Sequence, residues 1–169
     1  DVGPNDYVQA VNTKVRVYDK TGNPRGAPFK QSALFAPLGG ICAALDPGDP
    51  VVLYDRIANR WLISQFSYTG SGTVPPYHEC VAISKTGDPT GGYYLYDFQL
   101  PGTEFPDYPK FGVWPDGYYM TTNQFNNGGP FDGGGAFAFD RQKMLAGNPS
   151  AIGIYFNLNL TSFPEGIFG

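Results

Sequence analysis

The chain repeats itself at an interval of about 59 residues, and that period limits what it can fold into. Asp49-Pro50-Val51-Val52-Leu53-Tyr54-Asp55, followed by Arg60-Trp61-Leu62-Ile63-Ser64-Gln65-Phe66, returns as Asp107-Tyr108-Pro109-Lys110-Phe111-Gly112-Val113-Trp114, followed by Tyr119-Met120-Thr121-Thr122-Asn123-Gln124-Phe125. Pro50, Gln65 and Phe66 map onto Pro109, Gln124 and Phe125. Downstream, Asp88-Pro89-Thr90 returns as Asn148-Pro149-Ser150, and Tyr96 as Tyr155. A fixed period of this size marks stacked or radial repeats, in which each unit buries its apolar surface against its neighbours.

Within a unit, short β-rich runs alternate with Gly, Pro, Asn and Asp. The pattern predicts strands at Tyr7–Asn12, Lys14–Asp19 and, more weakly, Phe29–Phe35. A second group covers Val51–Asp55, Trp61–Ser67, Cys80–Lys85 and Tyr93–Gln99. A third covers Lys110–Trp114, Tyr118–Gln124, Ala136–Asp140 and Ile152–Leu158. Helical periodicity is confined to Arg141–Ala146, which Gly147 and Pro149 end. Pro115-Asp116-Gly117 reads as a tight hairpin, and the Gly-rich run 128–135 reads as a flexible loop.

Four short antiparallel strands per repeat describe a propeller blade. The predicted fold is therefore all-β and propeller-like, with slightly less than three blades. Residues 1–48 form an incomplete blade, 49–106 a second and 107–165 a third, and 166–169 open a further innermost strand. Closed propellers have four to eight blades. An open arc leaves strand edges and an apolar face uncovered. The expected partners are the remaining blades of a longer parent, or identical copies that complete a ring, such as a three-plus-three assembly.

Composition agrees with this class and removes others. Aromatic residues make up 16% and charged residues only 15%, with 23 Gly and 16 Pro, which suits strands joined by tight turns. A net charge of -4 argues against nucleic acid as a partner. Neither a basic run nor a long apolar stretch points to membrane insertion. The two cysteines, Cys42 and Cys80, are read as a disulfide in an oxidising compartment, hence a secreted or cell-surface location.

The strings Asp49–Arg56, Arg60–Phe66 and Asp107–Tyr119, with the opening Val2–Gln9, resemble a group of secreted bacterial β-propeller proteins. The resemblance spans nearly the whole chain. It implies a secreted or cell-surface propeller within a longer polypeptide carrying other extracellular domains. It brings over no catalytic residues, and the chain departs from the group in being shorter than a full propeller.

Candidate chemistry sits at equivalent repeat positions. Asp49 and Asp107 precede innermost strands, where carboxylates converge on Ca²⁺ or a polar ligand, or else cap the turns into those strands. No cofactor other than Ca²⁺ is suggested. Asn12, Gln65, Asn123 and Gln124 end equivalent second strands. They suit a polar ring for sugar hydroxyls, or bonds between neighbouring loops. Trp61 and Trp114 serve either a sugar ring or, as favoured here, packing between blades. His78, the only histidine, is placed in a loop and lacks a Gly-x-Ser-x-Gly elbow. Asn159 begins a formal glycosylation triplet. The residues favour a non-enzymatic extracellular binding or assembly module, with glycan as a candidate ligand. The alternatives are a glycan-acting hydrolase or lyase with converging carboxylates, and a structural subunit of a surface layer or fibre.

Overall fold

The structure is a computed structural model that describes residues 1–70, 72 and 74–159, without the side chains of 157 and 159. The predicted opening of a further strand at 166–169 lies outside the described residues. So do residues 160 and 161 of the glycosylation triplet and the side chain of Asn159.

Three antiparallel sheets follow one another along the chain. The first contains β1 (Asp6–Val11), β2 (Lys14–Asp19) and β3 (Phe29–Lys30) in that order. Two single-turn helices follow, α1 (Gln31–Phe35) and α2 (Gly40–Ala44). The second sheet runs β4 (Val51–Asp55), β5 (Arg60–Tyr68), β6 (Tyr77–Ser84) and β7 (Tyr93–Gln99). The third runs β8 (Glu104–Val113), β9 (Tyr118–Asn126), β10 (Phe131–Phe139) and β11 (Gly153–Asn159), with α3 (Arg141–Leu145) between the last two. The all-β class is thus present, as three antiparallel sheets, two of them four-stranded. Repeat chemistry recurs in the turns. Asp88 Oδ1 accepts from Thr90 N and Oγ1, and Asn148 Oδ1 accepts from Ser150 N and Oγ in the same way.

The sheets pack face to face in series. Val8, Val15 and Val17 of the first sheet meet Trp61, Ile63, Cys80 and Ala82 of the second. Alternation sends Leu62, Val81, Ile83 and Tyr96 to the opposite side, where they meet Tyr118, Met120, Phe137 and Phe139 of the third sheet. The middle sheet is therefore apolar on both faces, and β5 and β6 are buried along nearly their whole length.

Several expectations are corrected. Phe29–Phe35 is not one strand: β3 covers two residues and α1 takes over. Five-residue helices are too short to show a period, and neither α1 nor α2 has a side-chain N-cap to announce it. Both are fixed from outside, by burial of Phe35 and Cys42 and by Ser32, whose N and Oγ donate to Asp46 at 2.8 and 2.9 Å. β8 begins at Glu104 rather than Lys110. Pro106 and Pro109 disguise it, and a bulge between Asp107 and Lys110 accommodates them. The Gly-rich run is not all loop, because β10 begins at Phe131. A side chain at Gly135 would collide with the Gln124 amide and lie 2.8 Å from Thr122 Oγ1, so this glycine answers close packing rather than flexibility. Tyr96 and Tyr155 are not equivalent in the ladders. Tyr96 lies opposite Val81 and donates to Met144 O at 2.9 Å, towards the third sheet. Tyr155 lies opposite Phe137 and stacks on it, facing back towards the second sheet.

Candidate functional site

Two surfaces collect the residues of interest. The first is a cleft of about 250 Å³ where β1 ends and β4 and β8 begin, lined by residues including Asn12, Asp49, Pro50, Tyr108, Pro109 and Lys110. Asp49 and Tyr108 each have positive φ, 48° and 54°, immediately before Pro50 and Pro109. The repeat therefore extends to backbone conformation. Asn12 Oδ1 accepts from Asp49 N at 2.9 Å, and its amide reaches Asp49 Oδ1 at 3.4 Å. Asp49 is thus tied to the neighbouring sheet. Lys110 Nζ stands 3.4 Å from the Tyr108 ring centroid. Asp107 is not among the lining residues. It sits at the β8 bulge opposite Asn123.

The predicted polar ring separates into two classes. Gln65 is fully buried and donates to Cys42 O and Leu45 O at 3.1 and 3.3 Å, holding α2 and the segment after it against β5. Gln124 is buried and donates to Thr122 Oγ1. Asn12 and Asn123 are exposed. The two tryptophans also part. Trp61 is 1% exposed, packs against Tyr54 at 5.0 Å and donates to Gly87 O at 3.1 Å, so it packs between sheets as expected. Trp114 is 67% exposed, and the packing reading does not hold for it.

His78 lies in β6, not in a loop, with Nδ1 2.5 Å from Asp97 Oδ1. Ser67, directly across the ladder, is buried and donates to Ile41 O at 3.0 Å. Its hydroxyl proton is thus given to that carbonyl. The one group of three potential metal ligands among the described residues is Cys42, Cys80 and Asp97. The two sulfurs are bonded to each other, as predicted, so they do not supply thiolates.

The second surface is the outer face of the third sheet. Ala138 lies between Tyr119 and Ile154, and Ala136 between Thr121 and Phe156, so these side chains share a face. The opposite rows, such as Met120–Phe137–Tyr155, point into the core. Trp114, Tyr119, Ile152, Ile154 and Phe156 are all exposed. A cleft of about 300 Å³ crosses this face, and its lining includes Asp116, Tyr119, Asp140, Ile152 and Ile154. The corresponding face of the second sheet, Leu62, Val81, Ile83 and Tyr96, is buried beneath the third.

Sequence reasoning missed the clasp between those sheets. Asp55 is completely buried and accepts from Arg141 Nε at 2.8 Å, Arg141 Nη2 at 3.2 Å and Tyr118 Oη at 2.8 Å. It also accepts from Ile57 N and Ala58 N of its own turn. Burial opposes its charge, but these donors, Arg141 foremost, hold its carboxyl below the ordinary range. The bonds of Asp55 to its own turn are local. The pairing with Arg141, 86 residues away, carries no local signal. Glu79 was also missed. It is fully buried in β6 with neither carboxylate oxygen in a well-formed hydrogen bond, and burial, opposed only by the nearby Ser64 hydroxyl, pushes its pKa up to about 8.

Among the described residues no helix is long and apolar enough to cross a membrane. Comparison with models of known families, with curated proteins and with solved structures gives no match for this sequence.

Proposed function

We propose that the chain is a non-enzymatic extracellular binding and assembly module, a run of propeller-type blades whose third sheet docks a further sheet of the same kind. One observation carries the reading. The outward face of the third sheet is apolar and exposed at Trp114, Tyr119, Ile152, Ile154 and Phe156, while the same face of the second sheet is covered by the third. Serial face-to-face stacking, repeated turn chemistry and a 59-residue period support the propeller-type arrangement. The disulfide supports an oxidising, extracellular setting.

The test pairs a surface probe with an activity screen. A dye that fluoresces on apolar surface, or self-association in its place, is expected for the wild type. The signal should fall several-fold in Ile154→Ser/Phe156→Ser, with the unfolding temperature kept. A screen of polysaccharide substrates should give no turnover. Turnover lost in Asp107→Asn with the fold retained would replace this reading with that of a glycan-acting enzyme.

A further inference from the structure

We infer that the outer face of the third sheet takes the outer face of the first sheet of a second copy of this chain, head to tail, so that two copies close a ring of six sheets. The inference rests on the repeat-array reading above and names its partner.

The first sheet exposes a face of three cross-strand pairs: Tyr7 with Tyr18, Gln9 with Arg16, and Val11 with Lys14. The opposite side of the same strands, Val8, Val15 and Val17, already packs on the second sheet. At its aromatic pair this outer face matches the face with which the third sheet covers the second; at Gln9, Arg16 and Lys14 it is polar where the covering face has Met120, Phe137 and Gly135. The run Tyr7–Asn12 aligns with Tyr118–Asn123, placing Tyr7 on Tyr118, and Tyr18-Asp19 aligns with Phe139-Asp140, placing Tyr18 on Phe139. Tyr118 and Phe139 are among the buried residues between the second and third sheets. A face with the covering type's aromatic pair therefore stands at one end of the stack, and a face of the covered type at the other.

Charge agrees with the pairing. Arg16 lies over the Tyr18 ring at 5.5 Å. Among the described residues neither Lys14 nor Arg16 has a salt-bridge partner. The third sheet's outer cleft carries Asp116, which accepts from Tyr119 Oη and has no cation partner among the described residues, and Asp140, which is paired with Lys143 at 3.0 Å, beside Ile152 and Ile154. A basic, aromatic face thus meets an apolar face with an acidic rim, which sets both orientation and partner choice. Head-to-tail contacts close when the rotation between copies allows it. Six sheets fall within the four to eight that propellers use.

The experiment is sedimentation and light scattering on the wild type and two face variants. Ile154→Glu/Phe156→Glu blocks the third sheet's face, and Lys14→Glu/Arg16→Glu blocks the first sheet's face. The wild type should sediment at twice the 18.4 kDa chain mass at micromolar concentration, and each variant alone as a monomer. A one-to-one mixture of the variants should recover a dimer, because each keeps the face the other has lost. Circular dichroism confirms that both fold. Should a variant fail to fold, salt gives a second readout: the wild-type dimer should dissociate at least tenfold more readily at 1 M than at 0.05 M salt. A wild-type monomer that still binds the apolar dye would overturn the second-copy inference and leave the array reading standing. A dimer indifferent to Lys14→Glu/Arg16→Glu, or a mass that climbs without limit with concentration, would overturn head-to-tail closure.

Discussion

At the scale of single residues, two buried carboxyls meet opposite fates because one is ringed by donors, a guanidinium among them, and the other has only a hydroxyl nearby. Asp55 is surrounded by Arg141, Tyr118 and two backbone N–H groups, and it stays ionised although no part of it reaches solvent. Removing one partner of such a pair leaves a buried charge uncompensated, so Arg141→Met should cost about 3–5 kcal/mol in denaturant unfolding. The double variant Asp55→Asn/Arg141→Met should recover part of that loss, and an additive result would refute the coupling. Glu79 has burial with no cation beside it and only the Ser64 hydroxyl to oppose the shift. Its folded pKa of about 8 lies above the ordinary 4.5, so the folded state holds the proton more tightly than the unfolded state. Its contribution to stability is complete below pH 4.5 and is lost as pH rises to about 8, where it levels off. The slope in that window approaches 1.4 kcal/mol per unit. Glu79→Gln should flatten the window, as read by chemical unfolding at pH 5, 7 and 9. An unchanged slope would show that other groups carry it. Neither carboxyl's environment was legible in the sequence. A Glu in a β-rich run looks the same whether its face is solvated or covered, and only the stacking of the third sheet decides.

At the scale of elements, the sequence was most readable where local chemistry and tertiary packing agree. The alternation of Val15 and Val17 with Lys14 and Arg16 gave β2, and Pro115-Asp116-Gly117 gave the β8–β9 hairpin, closed by Trp114 N donating to Gly117 O at 3.0 Å. It was least readable where packing overrides propensity. Gly133, Gly134 and Gly135 have poor strand propensity, yet they continue β10 because they pair with β9 on one side and β11 on the other, and at Gly135 a Cβ would press on the side chains of Thr122 and Gln124. The same holds for α2, which has no cap and is fixed by its surroundings. Gln65 donates to Cys42 O, Ser67 to Ile41 O, and Cys42 is bonded to Cys80 in β6. That bond closes a loop with a separation of 38 residues, for which chain entropy gives roughly 3–4 kcal/mol. Cys42→Ser/Cys80→Ser should lose about that much in urea unfolding. Proteolysis should then begin in the α1–α2 segment while β5 and β6 stay protected. Early cleavage within β5 would show that the bond holds the second sheet itself.

At the scale of the whole molecule, the stack has a centre and two ends, and stability should follow that order. β5 and β6 have strands on both sides and a sheet over each face. β9 and β10 also have strands on both sides, but one face is open at Tyr119 and its neighbours. β1 and β2 belong to the three-stranded first sheet, whose outer face is open. In a series of units that touch only their neighbours, opening starts at an end and moves inward. Amide exchange at low protein concentration should therefore be slowest in β5 and β6, intermediate in β9 and β10, and fastest in β1 and β2. Core truncation should obey the same order. Leu62→Ala, buried between the second and third sheets, should cost about 2–5 kcal/mol, whereas Ile154→Ala, on the open face, should stay within about 0.5 kcal/mol in the monomer. The comparison gains force when repeated at high concentration. If a further sheet covers the open face, exchange in β9 and β10 should slow towards the rate of β5 and β6, and Ile154→Ala should begin to cost as a core residue does. Equal protection of all three sheets at every concentration would contradict the series, because it would require each face to be covered already within one chain.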